Sequence, residues 1–311
     1  MIGRIARIVG TPGNGVVLGI GDDAAVIDVA GPDYLLATVD MLVERVHFLA
    51  DAPPRILGRR ALAINISDIA AMGGSPRVAL VSLALPASTP EEWVVDLYSG
   101  IAEEAGTFGC SVAGGNLSRI DGPRCVDLTV LGGVPREELL TRSGARPGDI
   151  LGVTGVLGTE AARRALTGAR TDVDLPVPVP RVTAGRALAE TRRVHAMMDI
   201  SDGLSGDLRH LARASDVGAI LYANRIPVSI AARRAGQFLG IDPLSLALGG
   251  GEDYELLIAA PEEDWEMLEA SVGEKTSLYQ VGTVLAAGEG IVLEQPGGTR
   301  EPLDATGWSH F

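Results

Sequence analysis

A chain of 311 residues with 46% hydrophobic residues is long enough for two domains and a sizeable core, and with aromatics at only 4% that core falls to Ala, Val, Leu and Ile. A formal net charge of −14 argues against partners that are themselves polyanions, nucleic acid or an anionic membrane face. Of 26 basic residues only Lys275 is lysine, and no glycine-rich loop precedes it, which excludes the phosphate-binding lysines of P-loop and protein kinases.

The start, Met1 to Ile5, has no signal-peptide apolar region, and no apolar run approaches the ~20 residues that span a bilayer, so a cytoplasmic protein is expected. Val16–Ile20 and Tyr34–Val39 read as strands from their β-branched residues and flanking turn residues. Pro54 to Met72 reads as a helix, with Pro at its start, apolar residues at Ile56, Leu57, Leu62, Ile66 and Ile69, and Gly73-Gly74 as a stop. Val78–Leu85 is a further strand, and a helix opens at Thr89-Pro90-Glu91-Glu92 with Thr89 as N-cap. Strands follow at Ser111–Ala113 and Val126–Val134, with Gly114-Gly115-Asn116 as a glycine turn between them. Cys110 and Cys125 lack metal spacing and read as buried free thiols.

A boundary falls in the charged, Gly- and Pro-rich Pro135–Asp149, giving domains over 1–137 and 138–311. The pattern then restarts. It runs through strand Ile150–Thr154, a helix near Glu160–Leu166, an extended Leu175–Pro180 and a helix near Val182–Glu190. Strand Ala196–Ile200, helix Leu204–Ala214, strands Ala219–Ala223 and Tyr254–Ala259, and helix Glu262–Ala270 complete it. Two halves of similar α/β make are expected.

Acids beside glycines recur at the ends of these apolar runs: Asp22-Asp23, Asp40, Asp68, Asp199 with Asp202, and Glu252-Asp253. In a strand, Leu36, Thr38 and Asp40 share a face, so a hydroxyl and a carboxylate can meet one cation. Asp68 lies in an apolar helix, where an unpaired carboxylate is expensive, and Arg59, Arg60 and Arg77 are the nearby candidates to pair it. Ser201 is placed to cap the next helix, whose N-terminus would favour a phosphate. Arg142 is a candidate phosphate clamp. Hard oxygen ligands without a Cys or His cluster point to Mg²⁺ rather than zinc, and Mg²⁺ with phosphates points to phosphoryl transfer. A turn or a surface ion pair explains any one of these acids equally well; the set is what suggests a metal site.

Seven segments in one order carry a resemblance: Gly19–Val26 (GIGDDAAV), Thr38–Asp40, Val46–Phe48, Ala63–Gly73 (AINISDIAAMG), Thr141–Gly144, Asp199–Leu204 (DISDGL) and Gly250–Leu256 (GGEDYEL). From about Gly19 onward the chain resembles the thiamine-monophosphate kinases of the aminoimidazole-ribonucleotide-synthetase-like superfamily. The resemblance implies an α/β (α+β) fold of two domains, with an N-terminal sheet that pairs across a homodimer and a C-terminal α/β domain. It implies ATP as co-substrate, several Mg²⁺ ions and direct phosphorylation of thiamine monophosphate to thiamine diphosphate. The active site would lie between the domains and near the dimer interface. Asp23, Thr38, the backbone of Val39, Asp40, Asp68, Asp199 and Asp202 would hold Mg²⁺; Gly115, Arg142 and Ser201 would contact ATP; His47, Glu252 and Trp308 would contact thiamine monophosphate. A cationic thiazolium suits an aromatic face and a carboxylate. Asn116 stands where the family has an aspartate, so a weakened metal position is expected there. Two alternatives stand beside this reading: a catalytically silent nucleotide- or thiamine-binding dimer, and another enzyme of the superfamily. Met1–Gly15 lacks the reactive Cys or Lys of selenophosphate synthetases, and His310-Phe311 is not the terminal Cys of the hydrogenase-maturation dehydratase.

Overall fold

The computed structural model describes residues 1–9, 13, 15–167, 177–274 and 276–303 of the chain. Its first part runs α1 (Ile2–Val9), β1 (Val16–Leu18), β2 (Ala25–Asp28), β3 (Asp33–Val43), α2 (Pro54–Ala71), β4 (Ser75–Leu85), α3 (Glu91–Phe108), β5 (Ser111–Arg119) and β6 (Cys125–Pro135). Six strands form one sheet in the order β1-β2-β3-β6-β4-β5, antiparallel except for the β4–β5 pair. Helices α2 and α3 cover one face, and Leu36, Ile66, Ile69, Leu97, Ile101 and Leu128 are buried between the layers. The two helices touch at glycines: a Cβ on Gly58 would lie 2.0 Å from the Leu97 carbonyl oxygen, and one on Gly100 would lie 1.8 Å from that of Arg55. The opposite face of the sheet leaves Val39, Met41 and Leu80 exposed.

The second part runs β7 (Ile150–Thr154), α4 (Thr159–Thr167), α5 (Val182–Thr191), β8 (Ala196–Asp199), α6 (Leu204–Ser215), β9 (Gly218–Tyr222), α7 (Ile230–Leu239), α8 (Pro243–Gly249), β10 (Leu256–Ala260), α9 (Trp265–Ser271), β11 (Leu278–Leu285), β12 (Ile291–Glu294) and β13 (Arg300–Pro302). Seven strands form a sheet ordered β13-β12-β9-β11-β7-β10-β8, in which only β9 and β12 run parallel. Strands buried at every position, as in β7, β8 and β10, read as apolar runs because both faces are covered. Leu204, Leu208 and Leu211 of α6 pack on one face, and Leu188 of α5 with Trp265 and Leu268 of α9 on the other. Ala71, at the end of α2, belongs to this second core, so α2 packs against both sheets. Among the described residues no helix is long and apolar enough to cross a membrane.

The α/β elements expected from the sequence are present, with three corrections. Gly114, Gly115 and Asn116 form no turn: they lie inside β5, which continues to Arg119. Gly115 is required there by packing, since a Cβ would lie 1.8 Å from the Val81 carbonyl oxygen of β4. Pro90, not Thr89, stands at the N-cap of α3, and Gly203, not Ser201, at that of α6; neither helix start has a side-chain cap hydrogen bond. Cys110 is buried and Cys125 only half-buried; both are free. Of the extended stretch near α5, Leu175 and Pro176 lie outside the described residues, as does Lys275, and residues 177–180 form no regular element.

Candidate active site

Three elements bring three carboxylates to one point. Asp23 follows β1, Asp68 lies on α2, and Asp199 ends β8 of the other sheet; one oxygen from each lies within 4.8 Å of the others. The burial of α2 forces Asp68 inward, and the three arginines near it in sequence form ion pairs elsewhere. Arg59 pairs with Glu104, Arg60 with Glu252 and Arg77 with Asp33. Asp68 instead accepts the Thr38 hydroxyl at 2.6 Å, and Asp199 accepts that of Ser67 at 2.6 Å. Thr38 and Asp40 do share the inward face of β3, whereas the side chain of Val39 points to the exposed face.

These acids are short of positive charge. Burial, then the charges of Asp199, Asp40 and Asp23, push the Asp68 carboxyl well above the ordinary range. Burial and Asp23 raise Asp199 to about 7, and burial with Asp127 of β6 raises Asp40. The guanidinium of Arg142 is the nearest balance. Its Nη2 lies 2.6 Å from Asp23 Oδ1, and its backbone N–H donates to Asp22 Oδ2 at 3.2 Å. Burial would lower the Arg142 pKa, but Asp23 and Asp22 outweigh it and raise it. Burial and Asp23 still leave Asp22 raised to about 6. Asp23 Oδ2 is buried and, among the described residues, has no hydrogen-bond partner. Three clustered carboxylates, one of which keeps a buried oxygen without a partner among the described residues, fit a hard divalent cation.

Asp202 stands apart from this trio and groups with Asp207 and His210 of α6. Its backbone N–H donates to Asp207 Oδ2 at 3.0 Å, so the N-terminus of α6 is answered by a carboxylate of its own first turn. Ser201 lies in the loop before it, with its carbonyl accepting the Glu252 N–H at 2.7 Å. That loop and the one following α8 are thereby tied together. Glu252 itself is no open carboxylate. Arg60 of α2 bonds one oxygen and Arg164 of α4 the other. His47, in the turn after β3, accepts the Val43 N–H on Nδ1 at 3.0 Å, which leaves its other ring nitrogen to carry the proton when neutral.

Two expected positions do not join the acids within one chain. The register runs Asp40–Leu128–Val81–Gly115 across three strand spacings, so Gly115 and Asn116 lie about 14 Å from Asp40. Asn116 is exposed on the edge strand and bonds Ser118. Trp308 lies outside the described residues. Ser67, Asp127, Asp207 and Arg164 were not expected from the sequence; Asp22 was expected only as a neighbour of Asp23, and Arg60 as a partner of Asp68 and not of Glu252. Arg60 carried a usable signal: it is a charge in an apolar helix, as Asp68 is, and must be paired for the same reason. A separate cavity of about 490 Å³, lined by Arg146, Asp149, His195 and Glu262, lies beyond the first residue of β8, at the far end from Asp199.

Comparison with known proteins places this arrangement. The family model of the AIR synthase related protein N-terminal domain matches residues 21–134, and that of the C-terminal domain matches 146–294. A thiamine-monophosphate kinase of Rhodopirellula baltica is 40% identical over 284 residues, covering 85% of this chain and 86% of its own. The thiamine-monophosphate kinase of Escherichia coli K12 is 36% identical over 313 residues, with 95% and 92% covered. The solved structure described as AaThiL complexed with AMPPCP and TMP superposes with a TM-score of 0.82 at 32% identity, covering 94% of this chain and 92% of that one. With matches along nearly its whole length, the chain belongs to the AIR synthase related proteins and, within them, to the thiamine-monophosphate kinases.

Proposed function

We propose that the chain transfers the γ-phosphoryl group of ATP directly to the phosphate of thiamine monophosphate, giving thiamine diphosphate. The observation that carries this reading is the meeting of Asp23, Asp68 and Asp199, with one Asp23 oxygen unpartnered among the described residues, in a chain whose relatives are thiamine-monophosphate kinases. A solved relative described as holding AMPPCP and TMP supports the same pair of substrates here.

The oxygen-only donor set fits Mg²⁺, and Asp23, Asp40, Asp68 and Asp199, with Thr38 and the backbone of Val39, would hold it; Asp202 would serve a further ion. Bound there, Mg²⁺ supplies the charge that lets two phosphate groups approach each other. The chain does the rest by positioning. Arg142 sits against Asp23 with its remaining donors available to a nucleotide phosphate, and Ser201 stands in the loop between Asp199 and Asp202. No general base is required, since the accepting phosphate is already an anion at neutral pH. His47, Glu252 and Trp308 are assigned to the acceptor.

Gly115 and Asn116 enter the site from a second copy of the chain. Strand β5 is an edge strand with all nine residues exposed, and Val39, Met41 and Leu80 leave the sheet face beside it apolar. Both features suit a homodimer built on this sheet. The gap between the two family matches supports a division of the domains near 137/138.

Incubation with ATP, Mg²⁺ and thiamine monophosphate is expected to yield thiamine diphosphate and ADP in equal amounts. Binding of both substrates without product would instead mark a silent binder, a reading that the retained acids argue against.

A further inference from the structure

We infer that Arg60 and Arg164 are positioning residues that decide what Glu252 recognises: a neutral N–H donor of the acceptor, and not its positive ring. The inference rests on thiamine monophosphate being the acceptor. That molecule offers a carboxylate two partners, the cationic thiazolium and the amino group of its pyrimidine.

Glu252 is held from both sides. Arg60, with 3% of its side chain exposed, bonds Oε1 from α2 in the N-terminal domain. Arg164 bonds Oε2 from α4 in the C-terminal domain and also bonds the Gly250 carbonyl. Glu160 lies 3.9 Å from Arg164 Nη1, but its carboxylate is held by Arg163, with Nε at 3.0 Å from each oxygen. The backbone fixes the carboxylate as firmly as the arginines do. Glu252 has φ +61° and Tyr254 φ +50°, conformations that non-glycine residues rarely adopt. They are held by Glu252 N–H to the Ser201 carbonyl at 2.7 Å and Tyr254 N–H to that of Ile200 at 2.8 Å.

A carboxylate has about four lone-pair directions, and two guanidinium bonds leave some of them for a further donor. They do not leave its charge. A third cation brought to Glu252 meets two buried or half-buried guanidinium groups and gains little, whereas a neutral N–H meets an acceptor already in place. Arg60 and Ser67 are seven residues apart on α2, hence on one face and about 10 Å apart along it. Ser67 bonds Asp199, so an acceptor whose phosphate lies at the acids extends its far ring toward Glu252.

The test is equilibrium binding of three ligands to the full chain: thiamine monophosphate, an analogue with a neutral thiophene in place of the thiazolium, and an analogue without the pyrimidine amino group. Each analogue's affinity is expressed relative to thiamine monophosphate, in wild type and in Glu252→Ala. The amino-lacking analogue is expected to bind about 10-fold or more weakly to wild type and about equally to Glu252→Ala. The ratio for the neutral-ring analogue is expected to be the same in both proteins. A neutral-ring ratio that changes with Glu252→Ala, or an amino preference that survives it, overturns the inference. Should Glu252→Ala not fold, Arg164→Gln is expected to create a preference for the charged ring of about 5-fold, and no such preference would overturn it equally. Failure of wild type to bind thiamine monophosphate would overturn the proposed function itself.

Discussion

At the scale of residues, the site is a set of carboxylates with too little positive charge. Asp68→Asn or Asp199→Asn removes a charge from the centre of that set and is expected to lower kcat by about 10³-fold at limiting Mg²⁺. His47→Ala, which removes the ring that accepts the Val43 N–H in the turn after β3, is expected to raise the KM for thiamine monophosphate by less than about 10-fold. Near-normal turnover in Asp199→Asn would remove that residue from the metal site. The same charge imbalance sets a pH dependence. Asp199 titrates at about 7 in the fold against an ordinary 3.8, so the folded chain binds its proton more tightly than the unfolded chain does. Stability without metal is therefore highest below the ordinary value and falls as pH rises through about 7. Thermal unfolding in EDTA is expected to drop by on the order of 5 °C between pH 5 and pH 8. Added Mg²⁺ should restore more at pH 8 than at pH 5, because it binds the ionised acids. An equal Mg²⁺ effect at both pH values would contradict this. Asn116→Asp adds a charge at the exposed β5 position proposed to enter the site from a second chain, and should lower the Mg²⁺ concentration for half-maximal rate.

At the scale of elements, helix α2 meets α3 through two glycines that no other residue can replace without moving the helices apart. Gly100→Ala is expected to cost about 2–3 kcal/mol in urea unfolding, because its Cβ would lie 1.8 Å from a backbone oxygen. A loss under about 0.5 kcal/mol would mean that the crossing is loose. Helix α2 was legible in the sequence because its Pro start, apolar spacing and Gly73-Gly74 stop agree with one another. The buried strands β7, β8 and β10 were legible as apolar runs. Strand β5 was legible only over its first three residues, Ser111–Ala113, since the two glycines that follow are ones local sequence rules assign to a turn. Only the contact with the Val81 carbonyl explains Gly115, and that contact comes from a strand over thirty residues away. Among site residues, Asp23, Asp68 and Asp199 were recoverable from their positions at element ends. The arginines around Glu252 were not, because which buried charges meet is decided by the packing of α2 against the second half and not by spacing.

At the scale of the whole molecule, the proposed homodimer would make the site a property of two chains, with Gly115 and Asn116, about 14 Å from Asp40 in their own chain, serving the partner. Asp199→Asn would disable the acids of a chain's own site, and Asn116→Arg, at an exposed position of β5, would disable only what is lent across. Each homodimer alone is expected to be nearly inactive, and an equal mixture after subunit exchange should regain about one quarter of wild-type activity, since about half the dimers are then mixed and each of these holds one intact site of two. No recovery on mixing would place both residues in one chain's site. Leu117→Lys, on the exposed edge, should shift the chain to a monomer in sedimentation. Helix α2 has a last consequence. Its body is buried in the first core, Ala71 in the second, and while Asp68 bonds Thr38 of the first half, Ser67 and Arg60 bond Asp199 and Glu252 of the second. Melting of either half strips that helix of one of its supports, so heat or urea should take the whole chain apart in a single cooperative step. The helix is also the stretch with least freedom to drift, because nearly every turn answers to more than one neighbour.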